Sequence, residues 1–188
     1  AKKGGKNCDV LLMSATPIPR SMMMSIYGDM DISKLTEKPL NRKEILTLIK
    51  PEKKINEIYP LLKNQISLNS KIYWVCPLIE ESKKINYSSV INKFNIIKKI
   101  FPKQVDIIHG NLDENEKNLA IDRFKNKEIN ILVSTTVIEV GVDVPSANTI
   151  IIENADKFGL SQLHQLRGRV GRGNNESLCI LLYKENLS

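Results

Sequence analysis

From about residue 40 onward, short continuous apolar runs alternate with longer stretches of helical period, and this rhythm restricts the fold more than any other feature. Ile45–Ile49, Lys71–Cys76, Gln104–Ile108, Ile129–Val133, Thr149–Ile152 and Leu178–Tyr183 read as strands. Between them, Glu52–Ile66, Ser89–Ile100, Asp113–Phe124 and Ser161–Val170 read as helices; the second of these places Val90, Ile91, Phe94, Ile97 and Ile100 near a 3.6-residue repeat. Apolar runs without polar alternation suit strands covered on both faces. The expected fold is therefore α/β, a doubly wound, mainly parallel sheet with helices on both faces, in which ligands gather at the carboxyl ends of the strands.

Residues 1–40 break the rhythm. Asp9–Met13 reads as a strand, Ser14–Pro17 as a turn and Pro19–Tyr27 as a short Met-rich helix, but no complete βαβ unit follows. This stretch is expected to be the tail of a preceding domain plus a linker, with residues 41–188 forming the next domain. Met22, Met23 and Met24 are expected to pack against a neighbouring apolar surface, since methionine fills irregular gaps.

Composition narrows the function. The apolar runs are far shorter than the roughly 20 residues that span a bilayer, and the basic N-terminus, Ala1–Lys6, lacks the apolar stretch of a signal peptide. No membrane association and a cytoplasmic location are expected. Three widely spaced cysteines, Cys8, Cys76 and Cys179, fit neither a disulfide framework nor a zinc knuckle. His109 and His164 have no second ligand at metal spacing, so no metal site is expected. A net charge of +7 is compatible with a polyanionic partner and equally with a solvated Lys-rich surface.

Four segments occur in one order: Ser14-Ala15-Thr16-Pro17-Ile18-Pro19-Arg20, Tyr73–Ser82, Ser134–Pro145, and Gln162-Leu163-His164-Gln165-Leu166-Arg167-Gly168-Arg169-Val170-Gly171-Arg172-Gly173. Together they resemble superfamily 2 helicases, and within them the bacterial RecG-type helicases, across essentially the whole chain. The helicase module of transcription-repair coupling factors resembles the last two segments almost as well; Tyr73–Ser82 favours the RecG type. The resemblance implies a RecA-like fold, with residues 1–40 as the tail of the preceding motor lobe and interlobe linker and 41–188 as the second lobe. It further implies ATP with Mg2+ as the nucleotide, and DNA, branched duplex in particular, as the partner.

The residues give these implications chemical content. Arginine is always charged and presents a rigid fork suited to phosphate. Arg167, Arg169 and Arg172 are interleaved with Gly168 and Gly171, which leave room for close approach. An arginine finger neutralises charge developing on a transferred phosphoryl group, and the resemblance assigns that role to Arg169 and Arg172, with Gln165 in support. The ordinary alternative is a basic helix end. Thr135 and Thr136 follow a strand, where hydroxyls and amides hold phosphate; a plain helix cap is the alternative. The resemblance sets Gly141 and Asp143 at the nucleotide-facing seam, makes His109-Gly110 a turn contacting the nucleic-acid backbone, and has Ser14, Ala15 and Thr16 couple nucleotide site to DNA track. Trp74 reads either as a base-stacking platform or, on ordinary grounds, as a buried core residue.

No Gly-x-x-x-x-Gly-Lys-Ser/Thr loop and no Asp-Glu pair after a strand that could hold Mg2+ occurs in the sequence. The lobe carrying those elements, and most of the Mg2+ ligation, is expected upstream of Ala1 in the same polypeptide, and this segment alone is expected to be inactive. A downstream element for branched DNA is likewise not expected within these residues. Two other readings are weaker: a non-catalytic nucleic-acid-binding α/β module, which would leave Asp9–Thr16 an orphan strand and turn, and an RNA helicase lobe, which the Tyr73–Ser82 resemblance disfavours.

Overall fold

The computed structural model describes residues 13, 31, 33, 43–77, 83–135, 144, 146–173 and 176–185, with side chains 83–87 excluded. The chain divides into two compact units, Ala1–Glu37 and Lys38–Ser188; every helix and strand below lies in the second. They are β1 (Ile45–Pro51), a 3-10 turn (Glu52–Glu57) leading into α1 (Ile58–Ser67), β2 (Lys71–Cys76), α2 (Lys83–Ile100), β3 (Val105–Ile108), α3 (Glu114–Lys125), β4 (Ile131–Thr135), β5 (Ala147–Ile152), a 3-10 turn (Ala155–Lys157), α4 (Leu160–Arg167) and β6 (Ser177–Tyr183).

The six strands form one sheet in the order β1-β6-β5-β2-β4-β3, and every described pair is parallel. β2, β4 and β5 are buried at every residue, the two-sided burial that their unbroken apolar sequences demand. Alternation along β2 sends Tyr73 and Val75 to one face, packed with Ala120 and Phe124 of α3 and Leu166 of α4. Ile72, Trp74 and Cys76 go to the other, packed with Ile58 and Leu62 of α1 and Val90 and Ile97 of α2. Helices thus cover both faces, as the sequence rhythm requires.

Several boundaries differ from the sequence expectation for identifiable reasons. The helix expected over Glu52–Ile66 becomes regular only at Ile58, and Lys54 is non-helical. Pro60 has no N–H and is accommodated only in a first turn, which sets the start of α1. β4 lies two residues later than expected. The ladder begins where Asn130 and Ile131 donate to the Gln104 carbonyl and Ile72 donates to that of Asn130, so Thr135 belongs to the strand instead of the turn after it. α3 starts as expected, with Asp113 as N-cap: its carboxylate accepts from Glu116 N at 2.7 Å, and Glu116 reciprocates at 3.0 Å. Helix α4 ends at Arg167, short of the expected Val170.

One buried charge stands out among the apolar residues. Lys71 opens β2 fully buried, with Nζ donating to the Ile129 carbonyl and 5.5 Å from the Phe124 ring centroid. Burial, helped by the nearby Lys127, lowers its pKa from the ordinary 10.5 to about 8. Between those values the unfolded chain binds the extra proton, so stability is lost as pH falls from 10.5 to about 8. Relative to Lys71→Met, the wild-type domain should lose roughly 3 kcal/mol across that window, read by denaturant unfolding at successive pH values; parallel curves for the two proteins would contradict the assignment.

Candidate nucleotide and nucleic-acid interface

In a parallel sheet each crossover helix returns the chain from the carboxyl edge to the amino edge, and the candidate residues separate along those edges. β5 ends at Ile152 on the carboxyl edge. Asn154 turns the chain in the left-handed region, and α4 then carries it back towards the start of β6. The arginine segment therefore lies at the amino edge. Gly171 fixes it there: its φ is +78°, and a Cβ would lie 3.0 Å from Ile45 Cγ1 at the first residue of β1 and 3.6 Å from Ser177 Oγ at the first residue of β6. The arginine segment and the strand-end residues thus lie at opposite edges of the sheet.

The segment is anchored from below. Leu166 and Val170 are buried in the core. Gly168 N donates to the His164 carbonyl at 3.0 Å, and Arg169 N donates to that of Leu166 at 3.0 Å. Against this frame Arg169 is half-buried, while Arg172 and Gln165 are exposed. Arg172 Nε donates to the Gly168 carbonyl at 3.5 Å, and Arg167 Nη2 lies 3.4 Å from His164 Nδ1. The loop is held by backbone and apolar contacts, with Arg172 exposed at its surface.

At the carboxyl edge, His109 and Gly110 follow β3, and Thr135 closes β4. His109 is 6% exposed and its Nδ1 accepts from Asn111 N at 3.3 Å. Burial lowers its pKa, with Glu116 opposing and Lys117 reinforcing the shift. The imidazole is accordingly neutral at pH 7, with Nδ1 the acceptor, and the Leu112 amide closes the turn onto its carbonyl at 3.2 Å. Gly110 has no atom of the described residues within 4 Å of a would-be Cβ, so no described contact requires glycine there. Thr135 is buried, and its hydroxyl has no hydrogen-bond partner among the described residues. Ser14, Ala15, Thr16, Thr136, Gly141 and Asp143 lie outside the described residues.

Trp74 is fully buried in β2, which settles its two readings in favour of the core. Sequence reasoning missed the groups around it. Glu153, at the end of β5, accepts a hydrogen bond from Trp74 Nε1 and pairs with Lys93 of α2. The available signal was a carboxylate closing an apolar run, Ile150-Ile151-Ile152-Glu153; the partner on α2 carries no sequence mark.

The helicase conserved C-terminal domain model matches residues 53–174. The chain belongs to the helicase C-terminal domain family. It is 47% identical over 180 residues to the ATP-dependent DNA helicase RecG of Thermotoga maritima, covering 95% of this chain and 23% of that protein. The RecG of Bacillus subtilis is 44% identical over 180 residues, covering 95% and 26%. The chain thus spans about a quarter of the length of these curated relatives. Among solved structures, RecG bound to a three-way DNA junction superimposes with a TM-score of 0.76 at 43% identity, over 92% of this chain and 22% of that one. Domain 2 of the DEAD-box helicase Mss116p bound to an RNA duplex gives 0.56 at 24%, over 74% and 54%, a likeness of fold alone. The sheet is therefore the RecA-like fold of a helicase C-terminal domain, and the whole arginine segment, Arg167–Gly173, lies inside the matched region.

Two substitutions separate scaffold from function within this domain. Gly171→Ala should cost about 1–3 kcal/mol, because φ is positive and Ile45 is in the way. Gly110→Ala should leave the unfolding midpoint unchanged; a Gly110→Ala domain that melted as early as Gly171→Ala would mean that the turn after β3 needs glycine for folding.

Proposed function

We propose that this domain is the second motor lobe of an ATP-dependent DNA helicase that remodels branched DNA, acting with a P-loop lobe elsewhere in the same polypeptide. The observation that carries this reading is the arginine segment: two arginines on a loop pinned by Leu166, Val170 and Gly171, presented at the sheet edge away from His109, Gly110 and Thr135. A nucleotide seated between the lobes would meet Arg169 and Arg172 at its γ-phosphate, with Gln165 as a nearby polar contact and Gly141 and Asp143 at the same seam. Charge that builds on the γ-phosphoryl oxygens during transfer is neutralised by guanidinium groups held in advance, so little reorganisation is needed at the moment of reaction.

DNA phosphates would lie along the carboxyl edge, at the His109-Gly110 turn and at Thr136 and its neighbouring amides. Thr135 enters through its place at the end of β4, since its own hydroxyl is buried. Gly110 leaves open space above its backbone, which suits close approach of a phosphate. Opening and closing of the interlobe cleft with each ATP would then shift the DNA track, with Ser14, Ala15 and Thr16 linking the two sites. Mg2+, when bound, screens the phosphate charge; no group of three or more His, Cys, Asp or Glu side chains comes together among the described residues, and we assign its ligation to the other lobe. The branched-DNA preference rests on the 43% identical relative seen on a three-way junction. No described helix is long and apolar enough to cross a membrane, and we place the protein in the bacterial cytoplasm with its DNA.

In the full-length polypeptide, Arg169→Ala and Arg172→Ala should each lower ATP turnover by about 10³-fold while leaving DNA affinity within several-fold. Full turnover in both variants would remove the finger assignment. The isolated domain should hydrolyse ATP only when recombined with the P-loop lobe, and robust hydrolysis by the domain alone would place the nucleotide site elsewhere.

A further inference from the structure

The carboxyl edge contains one group of buried polar side chains that the proposed nucleotide and DNA contacts do not use. Glu153, 5% exposed, follows the last residue of β5. Its Oε1 accepts from Trp74 Nε1 at 2.9 Å and pairs with Lys93 Nζ at 2.7 Å, and the Cys76 thiol is directed at its Oε2 from 3.8 Å. Its backbone N–H donates to the Val75 carbonyl at 2.9 Å, one rung beyond the Val75–Ile152 pair. On the other side of β2, Cys76 is in register with Thr135. Strand alternation puts Thr135, Cys76 and Glu153 on the face covered by α1 and α2, in a row across the ends of β4, β2 and β5.

Stability does not explain such a pair. A buried carboxylate and ammonium lose hydration that their attraction barely restores, and apolar residues of similar volume commonly do as well or better. Burial opposes the Lys93 charge, but Glu153 outweighs it and raises the lysine pKa, so Lys93 keeps its proton at neutral pH. What the pair does supply is a fixed geometry. It locks the end of β5 to the end of β2 and to α2. Only Asn154–Gly159 separate Glu153 from α4, and α4 delivers the arginine loop. Thr135, two strands away in the same row, begins the segment to which the DNA contacts are assigned.

We propose that Glu153, held by Lys93 and Trp74, is a positioning residue that couples the DNA-facing ends of β2 and β4 to the arginine loop through β5 and α4. This rests on the helicase reading above. A displacement of the chain leaving β4 or β2 passes through the row to Glu153, and from there along α4 to Leu166 in its last turn and to the arginine loop that follows it. The side chain touches neither nucleotide nor DNA; its effect is on whether one is felt at the other.

The test uses the full-length polypeptide carrying Glu153→Gln, Glu153→Asp, Lys93→Met, and Glu153→Gln combined with Lys93→Met. Glu153→Gln keeps an acceptor for the Trp74 indole and removes the charge; the double variant also removes the unpaired lysine and should recover thermal stability. We expect Glu153→Gln and the double variant each to lose about tenfold in DNA-stimulated ATP turnover, with DNA-free turnover and the DNA concentration for half-maximal stimulation within twofold of wild type. Glu153→Asp should fall between. Recovery of stimulation together with stability in the double variant would reduce Glu153 to a structural role, as would unaltered stimulation in Glu153→Gln. Should Glu153→Gln fold poorly, the double variant decides. Failure of the helicase reading itself is read separately, from normal turnover in both arginine variants.

Discussion

Burial of both faces of a parallel sheet is the constraint on which the rest of this domain depends. β2, β4 and β5 bury every residue, so their side chains are apolar on both sides with few exceptions, and each face must be roofed by helices. Roofing a parallel sheet sends every crossover from the carboxyl edge back to the amino edge. The interior has no room for solvated chemistry, and the candidate site residues that the structure describes are left at the two rims. The arginine loop at one rim and the His109-Gly110 turn at the other follow from that geometry.

The two rims are built in different ways. At the amino rim the loop after α4 is positioned by apolar plugs, Leu166 and Val170, and by a glycine that packs against Ile45 where a side chain would collide. The backbone that carries Arg169 and Arg172 is thereby held stiffly, with Arg169 half-buried and Arg172 exposed. At the carboxyl rim polar groups are drawn inward: a neutral His109 organises its own turn, and Glu153 joins three elements through Trp74, Cys76 and Lys93. The buried polar network fixes a relationship between strands, whereas the arginine loop is fixed through its backbone and apolar contacts.

Charge burial is handled differently again at Lys71. There the ammonium faces a carbonyl and an aromatic ring and has no carboxylate partner in its described contacts, so its proton is held weakly. Lys93 retains its charge because Glu153 lies 2.7 Å from its ammonium. The contrast shows why a lysine in an apolar strand and a glutamate at the end of one have opposite consequences: the first is tolerated by shedding its charge as pH rises, the second by recruiting a counter-charge.

The sequence by itself determined the fold class, the approximate place of every strand and helix described, and the family, because apolar period and the arginine-glycine segment are local properties of the chain. It also marked Arg169, Arg172, His109 and Gly110 as residues of interest. Only the tertiary structure decided the strand order β1-β6-β5-β2-β4-β3, the start of β4 at Ile131, the burial of Trp74 and Thr135, and the separation of the arginines from the strand-end residues onto opposite rims. Strand order and edge depend on which crossover passes over which neighbour, and a local pattern of apolar residues is the same for any order. The Glu153–Lys93 pair was beyond reach for a related reason: its members are far apart in sequence, and only the packing of α2 on β2 and β5 brings an ordinary surface-type lysine to a carboxylate that would otherwise be buried alone.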